Sequence, residues 1–274
     1  PEAASYPVSP LTEVPAGGWT DEYKTTKLVL RRIPAGTFLM GSPEDELGSR
    51  DDETQHQVTL TKDFYVGVFE VTQKQWERVM GNWRGYFYNA DYRDARPVDS
   101  VSYIDIRGDN GTLNWPASNA VGTDSFIGRL RTKTNFTFDL PTEAQWQYAC
   151  RASTITALNS GKNLTNVGIC PNMSEVGRYW YNGGKEKTPN GNLSVGTAKV
   201  GSYLANAWGL YDMHGNIWEW CLDWYGLYSG TVTDPIGAVS GENRVLSGGS
   251  WINYADFCRS SIRRQSAPSY PANT

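Results

Sequence analysis

The stretch Gly209-Leu-Tyr-Asp-Met-His-Gly-Asn-Ile-Trp-Glu-Trp220 combines a turn-forming segment with the start of an apolar strand. Bulky side chains dominate the strand-like part, Ile217 to Cys221, and the carboxylates of Asp212 and Glu219 lie on either side of Gly215 in the sequence. Carboxylates that converge with backbone carbonyls form a ligand set that suits calcium. The stretch therefore predicts either a calcium-binding turn or a turn held by hydrogen bonds alone.

Composition restricts the function classes open to this chain of 274 residues. It contains 16 Tyr, 11 Trp and 8 Phe and has a formal net charge of −4, so it is too aromatic and too weakly charged for a disordered protein. The lack of a basic excess argues against nucleic-acid binding. No apolar run approaches the roughly 20 residues of a membrane span. The two histidines, His56 and His214, exclude a three-histidine metal site.

The cysteines and the N-terminus leave the compartment open. Cys150, Cys170, Cys221 and Cys258 form no Cys-x-x-Cys motif, and they allow either free buried thiols or disulfides in three complete pairings. The first ten residues are small and rich in proline and lack a signal-peptide pattern. They fit either a cytosolic protein or a tether behind a removed export signal. We expect an exported protein, with a lipid anchor upstream as one possibility.

The pattern along the chain predicts a single α+β domain over residues 27–274, behind a flexible flank of residues 1–26. Predicted strands are 28–33 and 36–41, joined as a hairpin about Pro34, followed by 57–61, 64–71, 217–221 and 244–247. Residues 42–55 are expected to form an exposed acidic loop, with 44–53 as a solvated surface. Residues 158–202 have the Gly, Asn and Ser content of a long loop.

Capping boxes predict three helix starts. Thr72 and Thr142 are each followed three residues later by Gln, and Ser102 is followed by Asp105 in a weaker version of the same motif. Apolar residues at helical spacing follow the two Thr-x-x-Gln motifs, which strengthens the interpretation. Residues 252–274 contain two prolines and no periodicity, so they are expected to form an ordered loop rather than a helix.

Several longer phrases carry more information than these local signals. The sequence has no glycine-rich phosphate loop, no His-Glu-x-x-His motif and no Gly-x-Ser-x-Gly elbow. Six further phrases accompany the opening stretch: Pro34-Ala-Gly-Thr-Phe-Leu-Met-Gly-Ser42, Glu70-Val-Thr-Gln-Lys-Gln-Trp76, Arg96-Pro-Val-Asp-Ser-Val-Ser102, Leu140-Pro-Thr-Glu-Ala-Gln-Trp146, Gly248-Gly-Ser-Trp251 and Cys258-Arg-Ser260. In this order they resemble the formylglycine-generating enzyme (sulfatase-modifying factor) family over roughly residues 28–264. The resemblance implies a C-type-lectin-like fold of the formylglycine-generating subtype, with a small antiparallel sheet, flanking helices and long loops.

The resemblance implies a copper site that this chain does not complete. Catalytic members carry two cysteines five positions apart, after the Gly-Gly-Ser-aromatic phrase. Cys258 matches the second position, but Asn253 stands at the first, and an amide supplies no thiolate for Cu(I). Ser250 and Trp218 are retained as supporting residues only. We therefore expect no copper, no oxidase chemistry and no catalytic residue, with Cys258 in a packing or disulfide role and His214 as a hydrogen-bonded turn residue.

The resemblance also implies a structural calcium ion. Its ligands would lie at the positions of Asp212, Gly215, Ile217 and Glu219, with carbonyls contributed by Gly215 and Ile217, and its role would be to make the loops rigid. One departure from the family pattern concerns the C-terminus. The family usually closes with a Gly-Phe-Arg strand, and this chain reaches Thr274 without one.

The C-terminal region, residues 251–274, has the composition of a diversified binding surface. Tyr, Phe, Asp, Asn, Ser and Arg are mixed without pattern, as in a paratope. Adenine-directed mutagenesis of Asn-type codons does not reach Lys, Glu, Met, Trp or Gln, and only Gln265 among residues 252–274 is of these types. The region resembles the variable region of diversity-generating retroelement proteins of the treponemal type. The predicted ligand-binding residues are Trp251, Ile252, Asn253, Tyr254, Asp256, Phe257, Ser260, Ile262, Arg264, Gln265, Ser266, Ser269 and Tyr270.

The leading hypothesis is a non-catalytic protein at a bacterial surface that binds a protein or another macromolecule through this region. Nucleic acid is not an expected partner. The alternative is a copper-dependent oxidase of the formylglycine-generating type with altered ligands. A third hypothesis is an inactive structural paralogue without a ligand. An exposed aromatic cluster over residues 252–270 would argue against the third, because such patches mark binding sites.

Overall fold

The structure, a computed structural model, describes residues 6–87, 92–108, 115–183 and 196–271. The helices are α1 (Asp21–Thr25), α2 (Gln73–Met80), α3 (Tyr103–Arg107), α4 (Phe126–Thr134), α5 (Glu143–Arg151), α6 (Pro171–Val176) and α7 (Trp180–Gly183). The strands are β1 (Leu30–Ile33), β2 (Gly36–Met40), β3 (His56–Leu60), β4 (Phe64–Gly67), β5 (Gly177–Arg178), β6 (His214–Gly215), β7 (Glu219–Trp224), β8 (Val232–Thr233), β9 (Arg244–Ser247) and β10 (Arg263–Ser266). Strands β1 to β4 precede a run of helices from α2 to α6, and the remaining described strands follow that run, so the predicted α+β class is confirmed.

The described strands form four small sheets. An antiparallel sheet has the order β10-β9-β7, and a second three-stranded sheet has the order β2-β3-β8, in which β3 and β8 are parallel. The pairs β1-β4 and β5-β6 form two-stranded sheets. β7 leaves regular register with β9 between Trp220 and Trp224. The irregularity lies in the strand that begins at Glu219, the last residue of the Asp212 to Glu219 stretch.

The predicted hairpin between β1 and β2 is wrong, although both strands exist. β1 pairs with β4 and β2 pairs with β3, each antiparallel. The backbone N–H of Ala35 in the connection donates to Asp63 Oδ1 at 2.8 Å. The chain therefore continues from one sheet into the next at Pro34 instead of reversing. The strand predicted over 64–71 ends at Gly67.

All three predicted capping boxes are present. At the start of α2, the N–H of Gln75 donates to Thr72 Oγ1 at 3.3 Å, and the N–H of Thr72 donates to Gln75 Oε1 at 2.9 Å. The same reciprocal pair begins α5 at Thr142, and Ser102 with Asp105 begins α3. Each box satisfies N–H groups that the first turn of a helix leaves unpaired.

The largest hydrophobic core forms around α5. Trp146, Ala149 and Cys150 are at most 1% exposed and pack with buried residues of β2, β3, β7 and β9. A second buried cluster includes Leu158, Met173, Tyr179, Ala255 and Cys258. This second cluster packs the 158–183 segment against Ala255 and Cys258 of the C-terminal region. The predicted binding residues around them therefore lie on a packed interior.

Two organisational expectations need correction. Residues 158–202, predicted as a long loop, contain α6, β5 and α7 within their described part. Trp19 packs edge-on to Phe69 with ring centroids 6.0 Å apart, and Lys24 in α1 is only 8% exposed. The packed unit therefore begins before the expected boundary at residue 27. Residues 1–5 of the predicted flank lie outside the described residues.

No helix in the described ranges combines the length and apolar character needed to cross a membrane.

Candidate functional site

The C-terminal region is anchored at both ends of its exposed part. After Ser250 the chain turns into a short 3₁₀ segment, Ala255–Cys258, whose first and last residues are fully buried. It then enters β10, where Arg263 pairs with Ser247 of β9 and Ser266 pairs with Arg244. A surface built on anchored backbone loses little conformational entropy when it binds a partner.

Eleven of the thirteen predicted ligand-binding residues are exposed or partly exposed, and we call these eleven together the C-terminal face. Tyr254 and Tyr270 are 47% and 59% exposed. The other exposed or partly exposed members are Trp251, Ile252, Asn253, Asp256, Phe257, Arg264, Gln265, Ser266 and Ser269. Residues 272–274 of the predicted region lie outside the described residues.

Two predicted ligand-binding residues are inside the protein instead. Ser260 is 0% exposed, and both its N–H and its Oγ donate to the carbonyl of Ala157, at 2.8 and 3.1 Å. Ile262 is 1% exposed and packs in a cluster with Trp218 and Leu246. Ligand contact at these two positions is incompatible with this burial. Composition could not separate them from their exposed neighbours, because the inward positions are set by the 3₁₀ turn and by pairing with β9.

Aromatic residues outside the predicted region extend the C-terminal face. The Tyr181 ring stacks on Tyr254 with centroids 5.7 Å apart and planes 26° apart, and the Trp180 ring meets Tyr254 edge-on at 6.2 Å. The N–H of Trp180 donates to the carbonyl of Asn253 at 2.9 Å. Tyr181 is 47% exposed and nearby Ile169 is 65% exposed. The adjacent aromatic pair at 180–181, in a segment otherwise rich in Gly and Asn, was the signal in the sequence that could have predicted this contribution.

A second aromatic contact lies at the start of the face. Trp251 meets Phe87 edge-on with centroids 5.1 Å apart, and Tyr86 beside it is 71% exposed. The N–H of Trp251 donates to the carbonyl of Asn216 at 3.0 Å. Aromatic residues of two other segments, at 86–87 and 180–181, thus contact the C-terminal face, and each segment is more than 60 residues away from it in the sequence.

The acidic loop supports the face and is not only a solvated surface. Arg259 is buried, and it contacts Glu46 and Glu53, whose side chains are 4% and 0% exposed. Arg50 of the same loop lies over the Phe257 ring, with its guanidinium carbon 4.1 Å from the ring centroid. Its Nη2 lies 3.7 Å from Asp256 Oδ2. The prediction that residues 44–53 form a solvated surface is therefore wrong for Glu46 and Glu53. Their charge gave no sign of burial, because their partner lies more than 200 residues away.

The two positions to which the resemblance assigns a copper site, Asn253 and Cys258, have a different chemistry here. Ser250 Oγ donates to Asn253 Oδ1 at 2.6 Å, so the amide is engaged in a local hydrogen bond. Cys258 is 0% exposed, and burial raises the pKa of its thiol well above the ordinary value. A neutral thiol beside an amide lacks the two thiolates that Cu(I) favours.

His214 is a buried structural residue that ties three segments together. Its Nδ1–H donates to the carbonyl of Cys258 at 2.7 Å, and its Nε2 accepts the N–H of Asn159 at 3.0 Å. Burial lowers the pKa of His214 to about 4. The imidazole is therefore neutral near pH 7 and has both ring nitrogens occupied. This matches the expected hydrogen-bonded role, but His214 lies in strand β6 and not in a turn.

All four cysteines are buried and free. Burial raises the pKa of Cys150 to about 12. For Cys170, burial acts in the same direction, but backbone hydrogen bonds from Thr165 and Met173 outweigh it, and the pKa is lowered. Of the two states left open by the sequence, the free thiol is the one in this structure.

The predicted calcium ligands lie in one tight segment, which we call the cation loop, residues 212–219. Asp212 is 1% exposed and has a φ of 59°, and its Oδ2 accepts the N–H of Gly201 at 2.6 Å. Its Oδ1 is buried and has no hydrogen-bond partner in the described part of the chain. An orphaned carboxylate oxygen of this kind is costly to bury unless a cation or donor meets it.

Three carboxylates are close enough in this region to affect one another. Burial raises the pKa of Asp212 to about 6 and that of Glu219 to about 7, and for Glu219 the charge of Asp212 adds to the effect. Burial also raises the pKa of Glu70 well above its usual range, with further contributions from Asp212 and Glu219. Among the described residues, no three His, Cys, Asp or Glu side chains form a metal centre by themselves. The donor set therefore fits calcium only if backbone carbonyls complete it, as expected for Gly215 and Ile217.

Comparison with known proteins identifies the family. The family model described as a sulfatase-modifying factor enzyme 1-like domain matches residues 20–274. A formylglycine-generating enzyme of Streptomyces coelicolor is 38% identical over 264 residues, covering 83% of this chain and 80% of that protein. The formylglycine-generating enzyme of Mus musculus is 26% identical over 283 residues, covering 90% and 73%. The solved structure of Treponema denticola variable protein 1 has the same fold, with a TM-score of 0.69 at 24% identity over 90% of this chain and 92% of that one. The expected family and fold are thus confirmed, and the chain belongs to the sulfatase-modifying factor enzyme 1-like family.

Proposed function

We propose that this protein is a non-catalytic binding protein that recognises a protein ligand through its C-terminal face. The observation that carries the proposal is the exposed aromatic surface at Tyr254, stacked on Tyr181 and held by the Trp180 to Asn253 hydrogen bond. Rigid aromatic side chains beside short polar groups supply contact area at low entropic cost, as in antibody paratopes. An inactive paralogue without a ligand would gain nothing from such a patch, because exposed apolar surface favours aggregation.

Diversification of the face is the second part of the proposal. It is supported by the side-chain composition of residues 252–271 and by the shared fold with a protein named as variable. Copies of the gene from one population should differ at the exposed positions of the C-terminal face and should be constant at Ser260 and Ile262. Differences spread evenly over the domain would contradict diversification.

A selection experiment tests the binding function directly. A yeast-displayed library randomised at Tyr254, Phe257, Arg264 and Tyr270 is panned against hen egg lysozyme as a defined protein target. A matched library is randomised at Tyr65, Ile155, Leu227 and Val239, which are 66–86% exposed and lie outside the face. Binders should be enriched only from the first library, with expression levels equal in both. Equal enrichment from both libraries, or loss of folded clones from the first, would overturn the proposal.

The proposed setting is the surface of a bacterium. A diversified binding face meets external ligands only if the protein is exported. Treatment of intact cells with protease should remove the protein, while a cytosolic marker is retained. Protection equal to that of the marker would overturn this part of the proposal without affecting the binding function.

We also propose a structural calcium ion bound by the carboxylates of Asp212 and Glu219 and the carbonyls of Gly215 and Ile217. The unpartnered Asp212 oxygen supports it, as does the grouping of the Asp212, Glu219 and Glu70 carboxyls in a region where burial raises their pKa values and a bound cation would favour their ionised forms. Calcium at 100 times its dissociation constant stabilises a folded protein by about 2.7 kcal/mol. Millimolar calcium should therefore raise the melting temperature in metal-free buffer, and magnesium should do so less.

The competing function is a copper-dependent oxidase, which is favoured by the names of the Streptomyces coelicolor and Mus musculus relatives. Asn253 opposes it, because it cannot supply the second thiolate. The test is Cu(I) uptake and oxygen consumption with a cysteine-containing peptide. Binding that disappears in Cys258→Ala, together with oxygen consumption, would establish the oxidase. Uptake equal to that of Cys258→Ala would exclude it.

A further inference from the structure

Glu70 forms hydrogen bonds to the cation loop, although it is not one of the proposed calcium ligands and lies more than 140 residues away in the sequence. It lies between β4 and α2 and is 7% exposed. Its Oε2 accepts Nδ2–H of Asn216 at 2.5 Å, and its Oε1 accepts the N–H of Ile217 at 3.2 Å. Both oxygens of one buried carboxylate are thus committed to two adjacent residues of the cation loop.

The backbone held by Glu70 has an uncommon conformation. Gly215 and Asn216 have φ values of 78° and 63°. A side chain at Gly215 is excluded, because an added Cβ would lie 1.9 Å from the carbonyl oxygen of Arg178. Asn216 is a non-glycine residue in the left-handed region, which persists where the surroundings fix it. Its amide is fixed at both ends, since Asn216 Oδ1 also accepts the N–H of Ala198 at 2.7 Å.

Asn216 stands between the two residues whose carbonyls are proposed to bind calcium. Rotation of its backbone would move the carbonyls of Gly215 and Ile217 relative to the carboxylates of Asp212 and Glu219. Residues that orient the direct ligands of a metal site typically change metal affinity by 10- to 100-fold when they are substituted. The hydrogen bonds of Glu70 are in the position to exert this kind of control.

We propose that Glu70 is a positioning residue for the cation loop, which orients Asn216 and Ile217 so that the carbonyls of Gly215 and Ile217 face a bound calcium ion. The proposal rests on the calcium part of the proposed function. It assigns Glu70 no direct contact with the ion, consistent with the absence of a three-side-chain metal centre among the described residues.

The test is calcium titration by isothermal calorimetry, starting from metal-free protein. Glu70→Gln replaces one of the two accepting oxygens by an amide group that only donates, and it also removes an ionisable carboxyl, so a second variant must separate the two effects. Asn216→Gly removes the hydrogen-bond partner, keeps the Glu70 carboxyl and tolerates the positive φ. Each single variant should weaken calcium binding at least about 10-fold. The fold-loss of calcium affinity in the double variant should be smaller than the product of the two single fold-losses, because both substitutions disrupt the same hydrogen bond.

Asp99→Asn is the matched control, since Asp99 is also a buried carboxylate, 4% exposed, that accepts a backbone N–H, from Tyr86. Its calcium affinity should equal that of wild type, and melting curves in EDTA report folding of every variant. Wild-type affinity in Asn216→Gly would overturn the positioning role and leave the calcium site intact. Absence of calcium binding in wild type would overturn both, while the selection on the C-terminal face would be unaffected.

Discussion

Arg259 and Glu53 form a two-pronged ion pair in the protein interior, with Nη1 2.7 Å from Oε2 and Nη2 2.8 Å from Oε1. Both side chains are 0% exposed. Loss of one partner leaves a buried charge without compensation, which typically costs about 3–5 kcal/mol. Glu53→Gln should therefore lower the free energy of unfolding by about 3 kcal/mol in urea titrations, since Glu46 still contacts Arg259.

An exposed ion pair provides the control for that substitution. The side chains of Lys162 and Glu175 are 46% and 39% exposed and 2.6 Å apart. Pairs of this kind contribute about 0–1 kcal/mol. Glu175→Gln should therefore have an unfolding midpoint close to that of wild type. Similar losses in both variants would mean that the Arg259 network contributes no more than a surface contact.

Truncation of two residues in the C-terminal region should reduce the stability of the protein to very different extents. Ile262→Ala removes a fully buried side chain and should cost about 2–5 kcal/mol. Tyr270→Ala removes a side chain that is 59% exposed and should change stability by less than about 0.5 kcal/mol. Thermal unfolding of the two variants measures the difference. A large loss for Tyr270→Ala would indicate that the residue belongs to the core and not to the C-terminal face.

Asp223 should make stability depend on pH. Burial raises the pKa of this carboxyl from 3.8 to about 7, and the neighbouring Glu143 adds to the shift. The folded state therefore binds more protons than the unfolded state between these values, so stability falls as pH rises from about 4 to 7, by at most about 1.4 kcal/mol per pH unit for one group. Asp223→Asn should flatten the dependence of unfolding free energy on pH in EDTA buffer. An unchanged slope would contradict the assignment.

The four thiols should be protected in the folded protein. Iodoacetamide should label none of them rapidly under native conditions and all four in urea, as counted by intact mass. On prolonged labelling without urea, peptide mapping should find Cys170 labelled first, because its lowered pKa in the folded protein favours the reactive thiolate. Labelling of only two cysteines in unreduced, unfolded protein would indicate a disulfide.

Local features of the fold were predictable from the sequence, and features that depend on distant partners were not. The capping boxes at Thr72, Ser102 and Thr142 involve four consecutive residues, so the sequence contains all the atoms that form them. The pairing of β1 and β2 depends instead on β4 and β3, and the burial of Glu53 depends on Arg259. Neither partner can be recognised from the local pattern.

The candidate site divides in the same way. The exposure of Tyr254 and Tyr270 is predictable from composition, because the aromatic and polar residues of 251–274 form one continuous segment. Ser260 and Ile262 could not be distinguished from them without the 3₁₀ turn and the register of β10. The contribution of Tyr181 depends on a contact with Tyr254 that spans 73 positions in sequence, so the local pattern around residue 181 does not contain it.

The stacking of Tyr181 on Tyr254 has a consequence for how the C-terminal face tolerates change. Replacement of Tyr254 by a small residue would not open a hole in a core, because both rings are 47% exposed. It would uncover the flat side of the Tyr181 ring, which is fixed in its own segment. A variant with an aromatic residue at position 254 presents that ring to solvent, and a variant with a small residue there presents the Tyr181 ring instead. An aromatic surface is therefore present at this point in both cases.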